Sequence, residues 1–224
     1  MLCVQLRGEL VLVVWQGRPG PLSLRADRNI SEPMARLLPA LLAAFLALPA
    51  QADWYLDNES SRLSFISSKA GNFSEVHRFL TLHGRIDKQG AARLRIEMDS
   101  LSTGIPVRDE RLRSLLFDVE QFPDALVMAQ LDLGPMTDLA PGAQLEIRLP
   151  VQVQIRDRKH GYMAELLVTR LDMHRFQVVT LAPLVLHAEH FGLESGVEAL
   201  RKVARLESIS LSIPVGAVMI FTSR

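Results

Sequence analysis

From residue 53 onward, apolar and polar residues alternate along much of the chain. Leu94, Ile96 and Met98 are interleaved with Arg93, Arg95 and Glu97. Leu145, Ile147, Leu149, Val151, Val153 and Ile155 alternate with Glu146, Arg148, Gln152, Gln154 and Arg156. Ile209, Leu211, Ile213 and Val215 alternate with Ser208, Ser210 and Ser212. A period of two gives each segment one apolar and one wet face, as half-buried antiparallel strands require. Weaker alternation predicts strands over 62–68, 78–86, 124–133, 162–171 and 175–187. Turn-forming residues separate the strands at Asp87-Lys88-Gln89-Gly90, at Pro141-Gly142 and over Asp157 to Gly161.

Two stretches change period. Residues 108–117 (RDERLRSLLF) predict a short helix with Asp109 as N-cap and Glu110 in the first turn. Residues 195–205 predict a second, in which Ser195 and Glu198 have capping-box spacing and Val197, Leu200 and Ala204 form a stripe. Neither helix can build its own core. The expected class is therefore all-β: an antiparallel barrel of about eight strands with two short helices packed on it, at one mouth. Closure removes free strand edges, and a barrel of about eight strands can hold one small ligand.

The region before residue 53 has a different character. Residues 34–52 (MARLLPALLAAFLALPAQA) carry a positive start at Arg36, an apolar run from Leu37 to Leu48 and a small-x-small site at Ala50-Gln51-Ala52. This is the pattern of a cleaved secretory signal peptide, and it is too short for a span of about 20 apolar residues. Export follows as an expectation. Met34 is then the expected initiator, and residues 1–33 an N-terminal extension produced by a misassigned start.

Composition is best judged after that division. The whole chain has 224 residues, 48% hydrophobic, with 25 Lys+Arg balancing 25 Asp+Glu. Residues 53–224 keep 20 basic and 22 acidic residues and lose the single cysteine, Cys3. A slightly acidic domain is not built to neutralise a phosphate backbone, so no nucleic-acid partner is expected. Absence of cysteine excludes a disulfide scaffold and a Cys-based zinc site. No second long apolar run follows, so no stable membrane span is expected. A homodimer remains open.

Candidate chemistry is sparse. All six histidines lie beyond residue 53, but His187-Ala188-Glu189-His190 lacks the HExxH spacing. On a strand, a separation of three would put these two rings on opposite faces. His77 and His83 could share a strand face, without an accompanying carboxylate pattern. No GxSxG elbow and no phosphate-binding glycine loop is present. No catalytic residue, metal site or cofactor is therefore expected. Phe65, Phe79, Phe117, Phe122 and Phe191 are either core or the lining of a cavity.

Several motifs, in order, resemble the YceI-like family. Ser102-Thr103-Gly104 precedes Arg108-Asp109-Glu110-Arg111-Leu112-Arg113-Ser114, then Phe117-Asp118-Val119 and Phe122-Pro123. A second set runs His187 to Leu193, Gly196 to Leu200, Ser208 to Ser210 and Ile213-Pro214-Val215. Trp54 to Asp57, Ser61, Phe65 and Gly84 are similar to the family's N-terminal strands. Arg111 stands where the family commonly has histidine. The resemblance implies a lipocalin-like barrel over 53–224, exported to the periplasm, that binds a polyisoprenoid, an isoprenoid quinone or a similar amphiphilic lipid without catalysis. Phe65, Phe79, Phe117, Phe122 and Phe191 then become expected wall residues. Arg108 and Asp109 are the motif's charged pair, either touching ligand or anchoring the helix. Two alternatives stay open: a hydrolase, metal-dependent or not, using His77, His83 or His190, and an envelope stress or interaction module with a filled barrel.

Overall fold

The computed structural model describes residues 53–223. The expected signal peptide and extension lie outside them.

Twelve strands form one antiparallel sheet. They are β1 (Trp54–Leu56), β2 (Arg62–Lys69), β3 (Phe73–Phe79), β4 (Leu82–Ile86), β5 (Ala91–Glu97), β6 (Leu101–Ser102), β7 (Asp124–Gln130), β8 (Gln144–Ile155), β9 (Arg158–Arg170), β10 (Arg175–Thr180), β11 (Leu184–His187) and β12 (Ser212–Ser223). Several are halves of one bent wall strand. Strand β12 pairs with both β1 and β2 on one edge and with both β10 and β11 on the other. The pairs β3/β4 and β5/β6 divide in the same way. The wall is therefore a closed eight-stranded antiparallel barrel.

The alternations around Leu94 and from Leu145 to Ile155 became strands with apolar sets facing inward, Leu94 and Ile96 on β5 and Leu149, Val151 and Val153 on β8 being buried, whereas that from Ser208 to Val215 becomes strand only from Ser212. At the Asp87–Gly90 turn, Asp87 accepts from the amides of Gln89 and Ala91. Gly90 there has φ +82, and a Cβ would fall 2.1 Å from the Leu131 carbonyl oxygen, so only glycine fits.

Several expectations need correction. The span 78–86 is two strands, β3 and β4, bent at Leu80-Thr81, and β3 begins earlier, at Phe73. The span 175–187 is likewise divided into β10 and β11. The expected break over Asp157–Gly161 is instead a tight hairpin at Arg156-Asp157, with Arg156 at φ +56 supplying the left-handed corner. The first helix starts sooner, as α1 (Pro106–Arg111), and continues as a wider π turn over Leu112–Phe117. Asp109 lies within it, not at its N-cap: Pro106 starts the helix, and the buried Asp109 carboxylate holds the backbone N–H and hydroxyl of Thr103. After a short α2 (Gly134–Thr137), the last helix is α3 (Glu194–Ala204). Its Ser195 makes no capping box, and Glu198 turns forward to Arg201 instead. Helix α3 packs tightly on the π turn. A Cβ on Gly196 would stand 2.8 Å from the Leu115 carbonyl oxygen.

The two ends of the barrel differ. At one end Trp54, Ile86, Met136, Val168, Phe176, Val178 and Phe221 form a packed cluster under α2. Trp54 meets Phe176 edge-on at 4.7 Å between ring centroids. Arg170 is buried there, donating to the carbonyls of Thr137, Asp172 and Met173 and lying over the Phe176 ring. The larger cluster surrounds the other half of the barrel, beneath α3 and the π turn.

Candidate functional site

That second half encloses a cavity of about 310 Å³, at the lower end of the small-molecule range. Its walls are almost entirely aliphatic and aromatic, including Leu63 and Phe65 from β2, Phe79 from β3, Val127 from β7, Val153 and Ile155 from β8, and Ile213 and Val215 from β12. Helix α3 contributes Val197, Leu200 and Ala204, and the helical segment from α1 through the π turn contributes Arg111, Leu112, Leu116 and Phe117. The two helices thus form part of the lining at the mouth.

Phe65, Phe79, Phe117 and Phe191 all line the cavity, and three of them are in ring contact. Phe65 lies 5.5 Å from Phe79 and Phe79 lies 6.4 Å from Phe117. Phe122 is not among the lining residues; its ring lies 5.1 Å under the Arg156 guanidinium. Arg108 lines the cavity and Asp109 does not. Asp109 acts through Thr103, which in turn accepts from Arg108 Nε at 2.8 Å.

The polar part of the lining gathers where β2 and β3 reach the mouth. Glu75 accepts from Lys69 at 2.5 Å and from Arg108 at 2.7 Å, and these cations, Lys69 first, hold its carboxyl below the usual range. One step further in, His77 is 4% exposed and its Nε2 is 2.9 Å from the Ser67 hydroxyl. Burial, followed by the Arg108 charge, lowers its pKa and keeps the ring neutral. Arg111 also faces the cavity, with no ion-pair partner among the described residues.

A second histidine group was not expected. His187 and His190 were placed on opposite faces of a strand, but Ala188–Phe191 is a 3₁₀ turn. Three residues per turn bring positions i and i+3 to one side, and the rings stand 5.2 Å apart. His160 of β9 stacks on His190 at 3.6 Å, and the Tyr162 hydroxyl is 2.9 Å from His190 Nδ1. Desolvation, then the nearby His160 and His187, hold His190 below the ordinary histidine pKa. These side chains bridge β9 and β11, which no backbone ladder joins among the described residues.

The three histidines considered for hydrolysis do not converge. His77 faces inward, His83 pairs with Glu97 on the outer wall at 2.7 Å, and His190 sits at the β9–β11 seam. Among the described residues, no group of three or more His, Cys, Asp or Glu could hold a metal ion. No described helix is long and apolar enough to cross a membrane.

The YceI-like domain model matches residues 54–217, which is nearly the whole barrel. The chain belongs to the YceI-like domain family. This YceI-like domain is similar to a solved polyisoprenoid-binding domain from Saccharophagus degradans, described as implicated in plant cell wall breakdown. The two share 34% identity over 76% of this chain and 98% of that one, with a TM-score of 0.75. BcnA of Burkholderia cenocepacia shares the fold at 14% identity, over 74% of this chain and 98% of its own, with a TM-score of 0.56. No curated protein matches the YceI-like chain.

Proposed function

We propose that this protein binds a long-chain amphiphilic lipid, a polyisoprenoid or an isoprenoid quinone, inside the barrel and carries it through the periplasm. The cavity carries this reading: an interior void lined by apolar side chains, in a barrel whose other end is packed shut. Each buried CH₂ of a guest contributes about 0.8 kcal/mol, offset in part by ordering of the chain. The similarity to the Saccharophagus polyisoprenoid-binding domain supports the choice of guest. The signal-like segment at 34–52 supports export. Binding without catalysis fits the lining, where the charged side chains are mostly tied to one another and the three candidate histidines stand apart. The test is organic extraction of the purified protein followed by mass spectrometry, then delipidation and reloading with a prenyl lipid. A stoichiometric long-chain lipid, with saturable reloading, is expected. Protein that is empty as purified and takes up no prenyl lipid would overturn the reading.

A further inference from the structure

Three segments meet at one side of the mouth: the β2–β3 hairpin tip, the start of α1 and the end of α3. They are physically joined. The Ala70 amide donates to the Ser208 carbonyl at 3.0 Å and the Ser210 amide to the Ser68 carbonyl at 2.8 Å, tying the hairpin to the strand that follows α3. Arg108 of α1 reaches Glu75 of β3. These segments carry large apolar side chains turned to solvent: Phe73 at 55% exposure, Val76 at 70%, Ile105 at 45%, Val107 at 57% and Val203 at 48%. Their sequence neighbours, among them Arg108 and Ala204, line the cavity. An apolar rim around an apolar opening stabilises nothing within the fold, and such patches mark interaction sites.

The row extends sideways. Val76 is the ladder partner of Ile66. Pro214 lies one step along β12 from the Val215–Phe65 pair, and Val185 is its partner on β11. The wall of β4, β5 and β7 is different, carrying the ion pairs His83–Glu97 and Arg95–Asp124.

Charge narrows the partner. Lys69 and Arg108 are matched to Glu75, and Arg201 to Glu198. At the end of α3 and of α1, Arg205 and Arg111 have no ion-pair partner among the described residues; the carboxylates along α3 in the same state are Glu207 nearby and Glu189 and Glu194 at its far end. Lys69 Nζ also stands 5.1 Å over the exposed Phe73 ring. A cationic head above an aromatic body suits the boundary between lipid headgroups and acyl chains.

We infer that this rim docks on an anionic lipid bilayer, so that the cavity opens against the membrane and a guest passes between the two without crossing water. The inference rests on the lipid-binding reading of the cavity, and it names the surface from which that cavity is filled and emptied.

Flotation with vesicles tests it. The protein is expected to float with phosphatidylcholine vesicles containing about one-third phosphatidylglycerol, and much less with phosphatidylcholine alone. Phe73→Asp and Val203→Asp should each lower the bound fraction about tenfold, and Arg205→Glu several-fold. Met173→Asp, on an exposed loop at the sealed end, should float like the parent. Thermal melts confirm that each variant is folded. Failure of the parent to bind, or rim variants that float as well as the parent, would overturn docking. So would a rim that proves to be buried in a dimer, seen as self-association lost in Phe73→Asp. Lipid extracted from the same preparations is measured in parallel. A loaded protein that ignores vesicles defeats docking alone. A vesicle-bound protein that never holds lipid defeats the cavity reading, and with it the passage of a guest, while the docking surface stands.

Discussion

The two halves of this barrel use the same strands to opposite ends. Strand β8 places Ile147 against the sealed cluster and Val153 in the cavity wall. Around Ile147 the space is taken by Trp54, Phe176 and Met136, with the carbonyl-bound Arg170 beside them over the Phe176 ring. Around Val153 the facing side chains are apolar, and those from the helices, Leu112, Leu116, Phe117 and Leu200 among them, line the space without filling it. Helix α3 lies over the opening, set close to the π turn by Gly196. Strand alternation thus makes a wall, while the residues at its ends decide whether the wall encloses a core or a void.

Substitutions can break that comparison, beginning with the largest effect. Trp54→Ala should cost about 3–5 kcal/mol of stability, read by denaturant unfolding, because its packed neighbours cannot collapse into the gap. Phe117→Ala, at the void, should cost less than half of that and yet shorten lipid retention more than tenfold; a stability loss equal to that of Trp54→Ala with unchanged retention would make Phe117 core. Overfilling reverses the contrast. Val178→Phe at the sealed end should destabilise by about 1–3 kcal/mol, whereas Val153→Phe should be close to neutral in stability and should cut lipid uptake.

The smallest effects are in pH. His77 is held neutral, with a folded pKa below its unfolded value near 6.5. The unfolded chain therefore binds more protons in that window, and stability should fall as pH drops from about 7 through the folded pKa. His77→Gln should flatten this part of the profile. At Glu198 the pKa is lowered to about 2 by Arg201. Its contribution is present above 4.5 and lost as pH falls from there toward 2. Because the pair is exposed on α3, Glu198→Gln should alter the acid limb only slightly.

Some of this was legible in the sequence. The long runs of β5 and β8 alternate cleanly, so the strands, their faces and the barrel class follow from them. Strand β3 is harder to see because its inward positions include Glu75 and His77, whose polarity is satisfied only by Lys69, Arg108 and Ser67 from elsewhere. Phe122 shares the chemistry of Phe117, but the Asp118 corner at φ 51 carries the chain away before it is reached. Asp109 has the chemistry of a cap, yet Pro106 already starts the helix, which frees the carboxylate to bind Thr103. The aliphatic lining was not singled out, because Leu63, Leu184, Leu186 and Ile213 look like ordinary core. A void depends on what is missing opposite them, which no local pattern records. The histidine group depends on one turn of 3₁₀ helix, too short to leave a period.

The jog between β10 and β11 leaves a gap in the ladder among the described residues, bridged by Tyr162, its imidazole neighbours and Phe191. No backbone-to-backbone bond runs through those rings; the His187 amide donates to the Tyr162 hydroxyl instead. The staves are therefore laced by side chains near the lip and by continuous backbone ladder nearer the base, where β9 pairs with β10.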